Sequence, residues 1–63
     1  MGIHEVLKLR NMRPKEAAKE IGISRQALYL VRRGTPAGRK VAKKLASWDN
    51  RISEAAVLLG KAV

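Results

Sequence analysis

The stretch from Pro14 to Gly34, PKEAAKEIGISRQALYLVRRG, has the pattern of two short helices joined by a tight turn. Pro14 suits the first turn of a helix, where its missing N–H would have no partner in any case. Gly22 is able to adopt a positive φ and therefore ends the first helix. Ser24 is a good N-cap, because its hydroxyl can accept a hydrogen bond from a free backbone N–H. The pattern predicts helices at residues 14–21 and 25–33.

Apolar residues recur at helical spacing in both segments, so each helix should turn one face inward. Ala18 is small, which allows the second helix to cross the first one closely. Ile23 is apolar within the turn and is expected to fill the gap between the two helices. The predicted inward positions are Ala17, Ala18, Ile21, Ile23, Ala27, Leu28 and Val31.

The outward face of the second helix is polar and basic, and a helix of this kind fits the major groove of DNA. Arginine can bond guanine, and glutamine can bond adenine, through paired hydrogen bonds. Tyrosine can contact a phosphate or a thymine methyl group, and the arginine at the far end of the helix is an alternative phosphate contact. The predicted base-contacting residues are Arg25, Gln26, Tyr29 and Arg33.

A second set of side chains is suited to phosphate contacts, which fix the position of a protein on DNA without carrying sequence information. Most of them are basic residues that share the outer face of the first motif helix or of the segment after the motif. Arg32 has an alternative role, because a cation at a helix C-terminus is favoured by the helix dipole. For the whole set, a hydrated basic surface is the simpler alternative. The predicted phosphate contacts are Ser24, Lys15, Lys19, Arg32, Arg39, Lys40, Lys43 and Lys44.

These residues resemble the helix-turn-helix of the lambda-repressor/Cro family. IHEVLKLRNM looks like that family's first helix, and RRGTPAGRKVAKKLASW is similar to its passage into a fourth helix. Pro14 stands where the family often has a glutamine that holds a phosphate. The motif also resembles the first two helices of excisionase and MerR-type domains, which continue into a β-wing. RKVAKKLASW is helical in pattern, so that family ranks second.

The remaining sequence completes an all-α fold, a bundle of five short helices in one domain of residues 1–63, in which helices two and three form the helix-turn-helix. Helix one is predicted at about residues 2–11. Thr35 resembles an N-cap followed by Pro36 at the first helical position, so helix four is predicted to begin there and to extend to about Trp48. Asp49 or Asn50 is predicted to cap a fifth helix at residues 51–62. Its apolar stripe would contain Ile52, Ala55, Ala56, Leu59 and Val63.

Helix five has more apolar residues than one stripe requires, because Val57 and Leu58 broaden its apolar face. One interpretation is fuller burial against helix one, or a frayed end of the chain. The other is a homodimer contact through the C-terminal helix, since a self-complementary patch pairs two subunits about a two-fold axis.

Composition favours a nucleic-acid partner over other classes of ligand. The 63 residues carry a formal net charge of +9, and a polyanion would relieve the resulting repulsion. No cysteine is present, and His4 is the single histidine, so neither a disulfide framework nor a metal site is expected. No apolar run is long enough to span a bilayer. We expect no enzymatic activity, no cofactor and no small-molecule effector. We expect the protein to lie in the cytoplasm, associated with the nucleoid.

The leading hypothesis is a sequence-specific double-stranded DNA-binding protein, a transcriptional repressor or copy-number regulator that places residues 24–33 in the major groove. A non-specific architectural DNA-binding protein would need the same charge. A DNA-binding arm or accessory factor of a recombinase or transposase, as a fragment or as a separate protein, would need the same motif, and the initial Met1 favours a complete product over a fragment. A cationic membrane binder usually presents one continuous amphipathic helix, which the capped and broken helices do not provide.

Overall fold

The computed structural model describes all 63 residues, and its regular structure is entirely helical, as predicted. Five α-helices follow one another along the chain. They are α1 (Ile3–Arg10), α2 (Pro14–Ile21), α3 (Arg25–Arg33), α4 (Arg39–Trp48) and α5 (Glu54–Leu58).

The core is a single cluster of aliphatic side chains to which every helix contributes. Val41 and Trp48 of α4 are half-buried and pack against this cluster. Because the chain has no Phe, the interior is built from branched aliphatic residues and alanine. The buried apolar residues are Ile3, Val6, Leu7, Ala17, Ala18, Ile21, Leu28, Val31, Ala42, Leu45, Ile52, Val57 and Ala62.

The bounds of α2 and α3 are those predicted from the sequence, and α1 is one residue shorter at each end than the predicted range of about 2–11. Gly22 and Gly34 follow α2 and α3 with a φ of 88° each. The Ser24 hydroxyl oxygen accepts a hydrogen bond from the Ala27 N–H at 3.0 Å, as an N-cap does. At the end of α1, Asn11 adopts a left-handed conformation with a φ of 54°.

The predicted start of helix four is wrong, because the residues expected to cap it complete the end of α3 instead. The Thr35 N–H donates to the Leu30 carbonyl at 3.0 Å, which is one of the two bonds of a Schellman helix end. The Ala37 N–H donates to the Val57 carbonyl at 3.2 Å, so this loop is held against α5. The helix therefore begins only at Arg39, after Gly38.

The predicted fifth helix is also wrong in extent and in the face that it buries. Its N-cap is Ser53, whose hydroxyl oxygen accepts the Ala56 N–H at 3.3 Å, and not Asp49 or Asn50. Ile52 is buried as expected but precedes the helix, and within α5 Val57 lies in the core while Ala55 is exposed. Leu59, expected in the stripe, is 64% exposed.

The C-terminal segment contacts two other parts of the bundle. Helix α5 packs mainly against α4. After it, the Ala62 carbonyl accepts the Ile3 N–H at 3.0 Å, which ties the tail to the start of α1. The interpretation that helix five is buried against helix one is therefore wrong in its partner: α5 packs on α4, and only the tail after it reaches α1.

The junction between α1 and the end of α4 is organised around the buried carboxylate of Asp49. Arg51 donates to both of its oxygens, at 2.9 Å from Nε to Oδ1 and at 2.6 Å from Nη2 to Oδ2. Arg10 donates from Nε to Oδ2 at 3.0 Å, and its guanidinium lies 4.2 Å from the centre of the Trp48 ring. The Arg51 hydrogen bonds, followed by that from Arg10, hold the pKa of the Asp49 carboxyl far below its usual range.

Candidate nucleic-acid interface

The N-terminal half of α3 presents three predicted base-contacting side chains together on the surface. Arg25, Gln26 and Tyr29 are all exposed, and they line one shallow concavity of about 540 Å³. The burial of Leu28 and Val31 on the opposite face of α3 fixes which side of the helix faces solvent. These side chains are therefore available to a ligand that approaches α3 from outside.

Arg33 continues the same face toward the C-terminal end of α3. Its guanidinium carbon lies 5.6 Å from the centre of the Tyr29 ring, within the range of a cation–π interaction. Arg25, Tyr29 and Arg33 are spaced by four residues, so they form one stripe along the helix. The stripe places an aromatic ring between two guanidinium groups.

Ser24 begins this helix and combines a structural role with exposure. Its oxygen accepts the Ala27 N–H, and the hydroxyl proton remains free to donate to another group. The residue itself is exposed. The N-cap is thus positioned where a phosphate oxygen could accept that proton.

Arg32 differs from the other basic candidates because it is half-buried. Its Nε atom is enclosed and has no hydrogen-bond partner. Its guanidinium takes part in neither of the two ion pairs of the chain, which both belong to Asp49. Arg32 is a cation without a protein partner on a helix whose outer face is already basic.

The lysines of α4 fall into two groups. Lys40 and Lys43 are exposed and make no hydrogen bond. The same holds for Arg39 in this helix and for the two lysines of α2, Lys15 and Lys19. Lys44 donates from Nζ to the carbonyl of Gly22 at 2.9 Å, which attaches α4 to the turn between α2 and α3. Sequence spacing could not reveal this contact, because the two residues are 22 positions apart and belong to different elements.

The rest of the molecule offers little chemistry of another kind. No group of three or more histidine, cysteine, aspartate or glutamate side chains is placed to hold a metal ion. A second concavity, of about 390 Å³, lies between α1 and α2 and is lined by Leu7, Lys8, Asn11, Met12, Arg13 and Glu16. None of the helices has the length and apolar character needed to cross a membrane.

A comparison with known families agrees with this arrangement. A model of the helix-turn-helix family matches residues 3–47, which is most of the chain and includes α1, α2, α3 and nearly all of α4. The chain belongs to the lambda-repressor/Cro-type helix-turn-helix family. This helix-turn-helix protein is therefore assigned to a family of DNA-binding domains that are typical of transcriptional regulators. No curated protein and no solved structure matches the chain.

Proposed function

We propose that this helix-turn-helix protein binds double-stranded DNA sequence-specifically, with α3 in the major groove, and acts as a transcriptional repressor or copy-number regulator. The observation that supports this proposal is the joint exposure of Arg25, Gln26 and Tyr29 at the N-terminal end of α3. Recognition helices of this type contact base edges with their N-terminal residues. The guanidinium of Arg25 is suited to the O6 and N7 atoms of guanine, and the amide of Gln26 to the N6 and N7 atoms of adenine.

Affinity would come mainly from phosphate neutralisation around this helix. Ser24, Arg32 and the free cations of α2 and α4 are the proposed contacts, and Arg33 has its guanidinium over Tyr29, from where either a base or a phosphate is accessible. If about six phosphates are neutralised, the logarithm of the binding constant should fall against the logarithm of the salt concentration with a slope of about −5. A polyanionic ligand is also the natural partner for a chain with a net charge of +9.

The decisive experiment is selection of duplexes from a random oligonucleotide pool, followed by footprinting of the selected site. We expect an enriched motif, and Arg25→Ala should weaken binding to it by about 1–3 kcal/mol and relax preference at one base pair. Lys43→Ala is the matched control, because loss of a phosphate contact should weaken selected and random DNA alike. Equal weakening of both DNAs by Arg25→Ala would contradict direct base contact by that residue.

The same selection separates the proposed function from its alternatives. A pool without an enriched motif would favour a non-specific architectural protein. A single asymmetric motif would indicate that one copy of the chain binds each site. A pseudo-palindromic motif with half-sites about one helical turn apart would indicate a dimer.

We also propose that two copies associate through the C-terminal segment on such a site. Leu59 is 64% exposed and Val63 is 48% exposed, so this segment keeps apolar surface that the fold of one chain does not cover. Sedimentation equilibrium with and without the selected duplex tests this pairing. A complex that contains one protein chain on a palindromic duplex at saturating protein would exclude it.

A further inference from the structure

We propose that the ring of Tyr29 is a contact site for the C5 methyl group of thymine, beside the bases contacted by Arg25 and Gln26. This inference rests on the proposed function, because it specifies one feature of the DNA that α3 would recognise. It goes further in predicting that the preferred sequence contains a thymine whose methyl group, and not only its hydrogen-bonding edge, contributes to affinity.

The first argument is that Tyr29 supplies the exposed apolar surface of α3. Tyr29 is 50% exposed, whereas Leu28 and Val31 are buried in the core. Leu30 is half-buried at the border of the two faces. Everything else on the outward face of the helix is charged or polar, so the ring is an isolated apolar patch within a polar surface.

The second argument is the position of the ring relative to its neighbours. Arg33 lies over the ring at 5.6 Å from the centroid, which favours one ring orientation. Tyr29 then lines the concavity together with Arg25 and Gln26. A base edge that bonds either of these polar groups would bring an adjacent base close to the ring.

The third argument comes from the chemistry of the major groove. Its base edges present hydrogen-bond donors and acceptors, and the thymine C5 methyl is the apolar group among them. Arg25 and Gln26 can satisfy polar edges, whereas the part of the Tyr29 ring that stays exposed beside Arg33 offers the groove an apolar surface. Contact with a methyl group matches that face, and removal of one methyl from a buried contact corresponds to about a fourfold change in affinity.

The test replaces each thymine of the selected duplex, one at a time, by deoxyuridine, which lacks only the methyl group. In the unmodified protein, one thymine in each bound site should show a loss of affinity of about fourfold. The loss should persist in Tyr29→Phe, which keeps the ring, and disappear in Tyr29→Ala, which removes it. Because each ratio compares two duplexes with the same variant, any change in the stability of the variant cancels.

Each other outcome has a defined meaning. A selected motif in which no deoxyuridine substitution weakens binding would overturn the methyl contact and leave the proposed function intact. A methyl effect that persists in Tyr29→Ala would assign it to another residue, and one that is lost in Tyr29→Phe would assign it to the hydroxyl group. A pool that yields no motif at all would overturn the proposed function, and this inference with it.

Discussion

Glycines with a positive φ occupy three helix ends in this protein, but their surroundings differ. Gly22 has a φ of 88°, and a Cβ atom added there would meet nothing within 4 Å. Gly60 has a φ of 72°, and a Cβ atom added there would lie 2.5 Å from the Gly34 carbonyl oxygen and 2.9 Å from Pro36. The first glycine is required by conformation alone, whereas the second also permits close approach of two backbone segments at the end of α3.

Alanine at these two glycines should separate conformational strain from steric conflict. Gly22→Ala should lower the free energy of unfolding by about 1–2 kcal/mol, the cost of a left-handed conformation for a residue with a Cβ atom. Gly60→Ala carries the same strain and in addition forces the backbone at Gly34 and Pro36 to move. It should therefore lower the free energy of unfolding by more than Gly22→Ala does. Urea denaturation followed by Trp48 fluorescence measures both. Equal losses would mean that the contact between Gly60 and Gly34 is not tightly packed.

At the scale of the elements, capping signals in the sequence predicted the bounds of α2 and α3 but failed for α4 and α5. The ends of the first three helices depend on groups within a few residues, such as Ser24 and the Ala27 N–H. Thr35 and Asp49 have the right side chains for capping, but other contacts engage this part of the chain. Thr35 completes the end of α3, and Ala37, two residues later, bonds to the distant Val57. Asp49 binds Arg10 across the bundle. Such competition between local and distant contacts is not visible in a linear pattern.

The base-contacting candidates were predictable for the same reason that α3 was. Helical periodicity separates Leu28 and Val31 from Arg25, Gln26 and Tyr29, and the structure keeps that separation. The predicted phosphate contacts differ from one another in the structure, because Lys44 is hydrogen-bonded to Gly22 while the other lysines are not. Periodicity cannot show this difference, since it only marks all of these lysines as exposed. Whether any of these residues touches DNA remains a prediction of the proposed function.

Lys44 and Lys43 are adjacent lysines in α4 that should behave differently. Lys44→Ala removes the hydrogen bond to the Gly22 carbonyl and should lower the free energy of unfolding by about 1 kcal/mol. Lys43→Ala removes an exposed side chain without a partner and should change it by less than about 0.5 kcal/mol. Chemical denaturation of the free protein compares the two.

DNA binding by the same pair gives the complementary measurement. Lys43→Ala should make the salt dependence shallower by about one unit of slope, since one counterion-releasing contact is lost. Lys44→Ala should change the slope less, because its ammonium group is engaged at the turn between α2 and α3. If Lys44→Ala leaves stability unchanged but reduces the slope as much as Lys43→Ala, Lys44 is a phosphate contact rather than a support of the turn.

For the whole molecule, the excess of positive charge opposes folding, and Asp49 is the one acidic residue that forms ion pairs with it. The chain has 14 lysines and arginines and five carboxylates, and both of its ion pairs involve Asp49. The four glutamates therefore leave the basic surface largely uncompensated, and self-repulsion should weaken the fold. DNA that binds only the folded state should raise its apparent stability.

Asp49 should make the stability of the bundle dependent on acid pH in a defined direction. Its pKa is lowered in the folded state, so its stabilising contribution is complete above the pKa of about 3.9 that an aspartate has in an unfolded chain. The contribution falls as the pH decreases below that value and is lost only at the much lower pKa of the folded protein. Asp49→Asn should lower the free energy of unfolding at pH 7 by about 2 kcal/mol, because hydrogen bonds from Arg51 and Arg10 lose their charged acceptor.

Urea denaturation of the wild type and Asp49→Asn at pH 7, 4 and 2.5 tests this dependence. The difference between the two proteins should be constant from pH 7 to about 5 and should shrink steadily below about pH 4. Glu54→Gln is the matched control, since that exposed carboxylate forms no ion pair and should give a small difference throughout. A difference for Asp49→Asn that stays the same at pH 2.5 as at pH 7 would mean that the carboxylate charge does not stabilise the junction of α1 and α4.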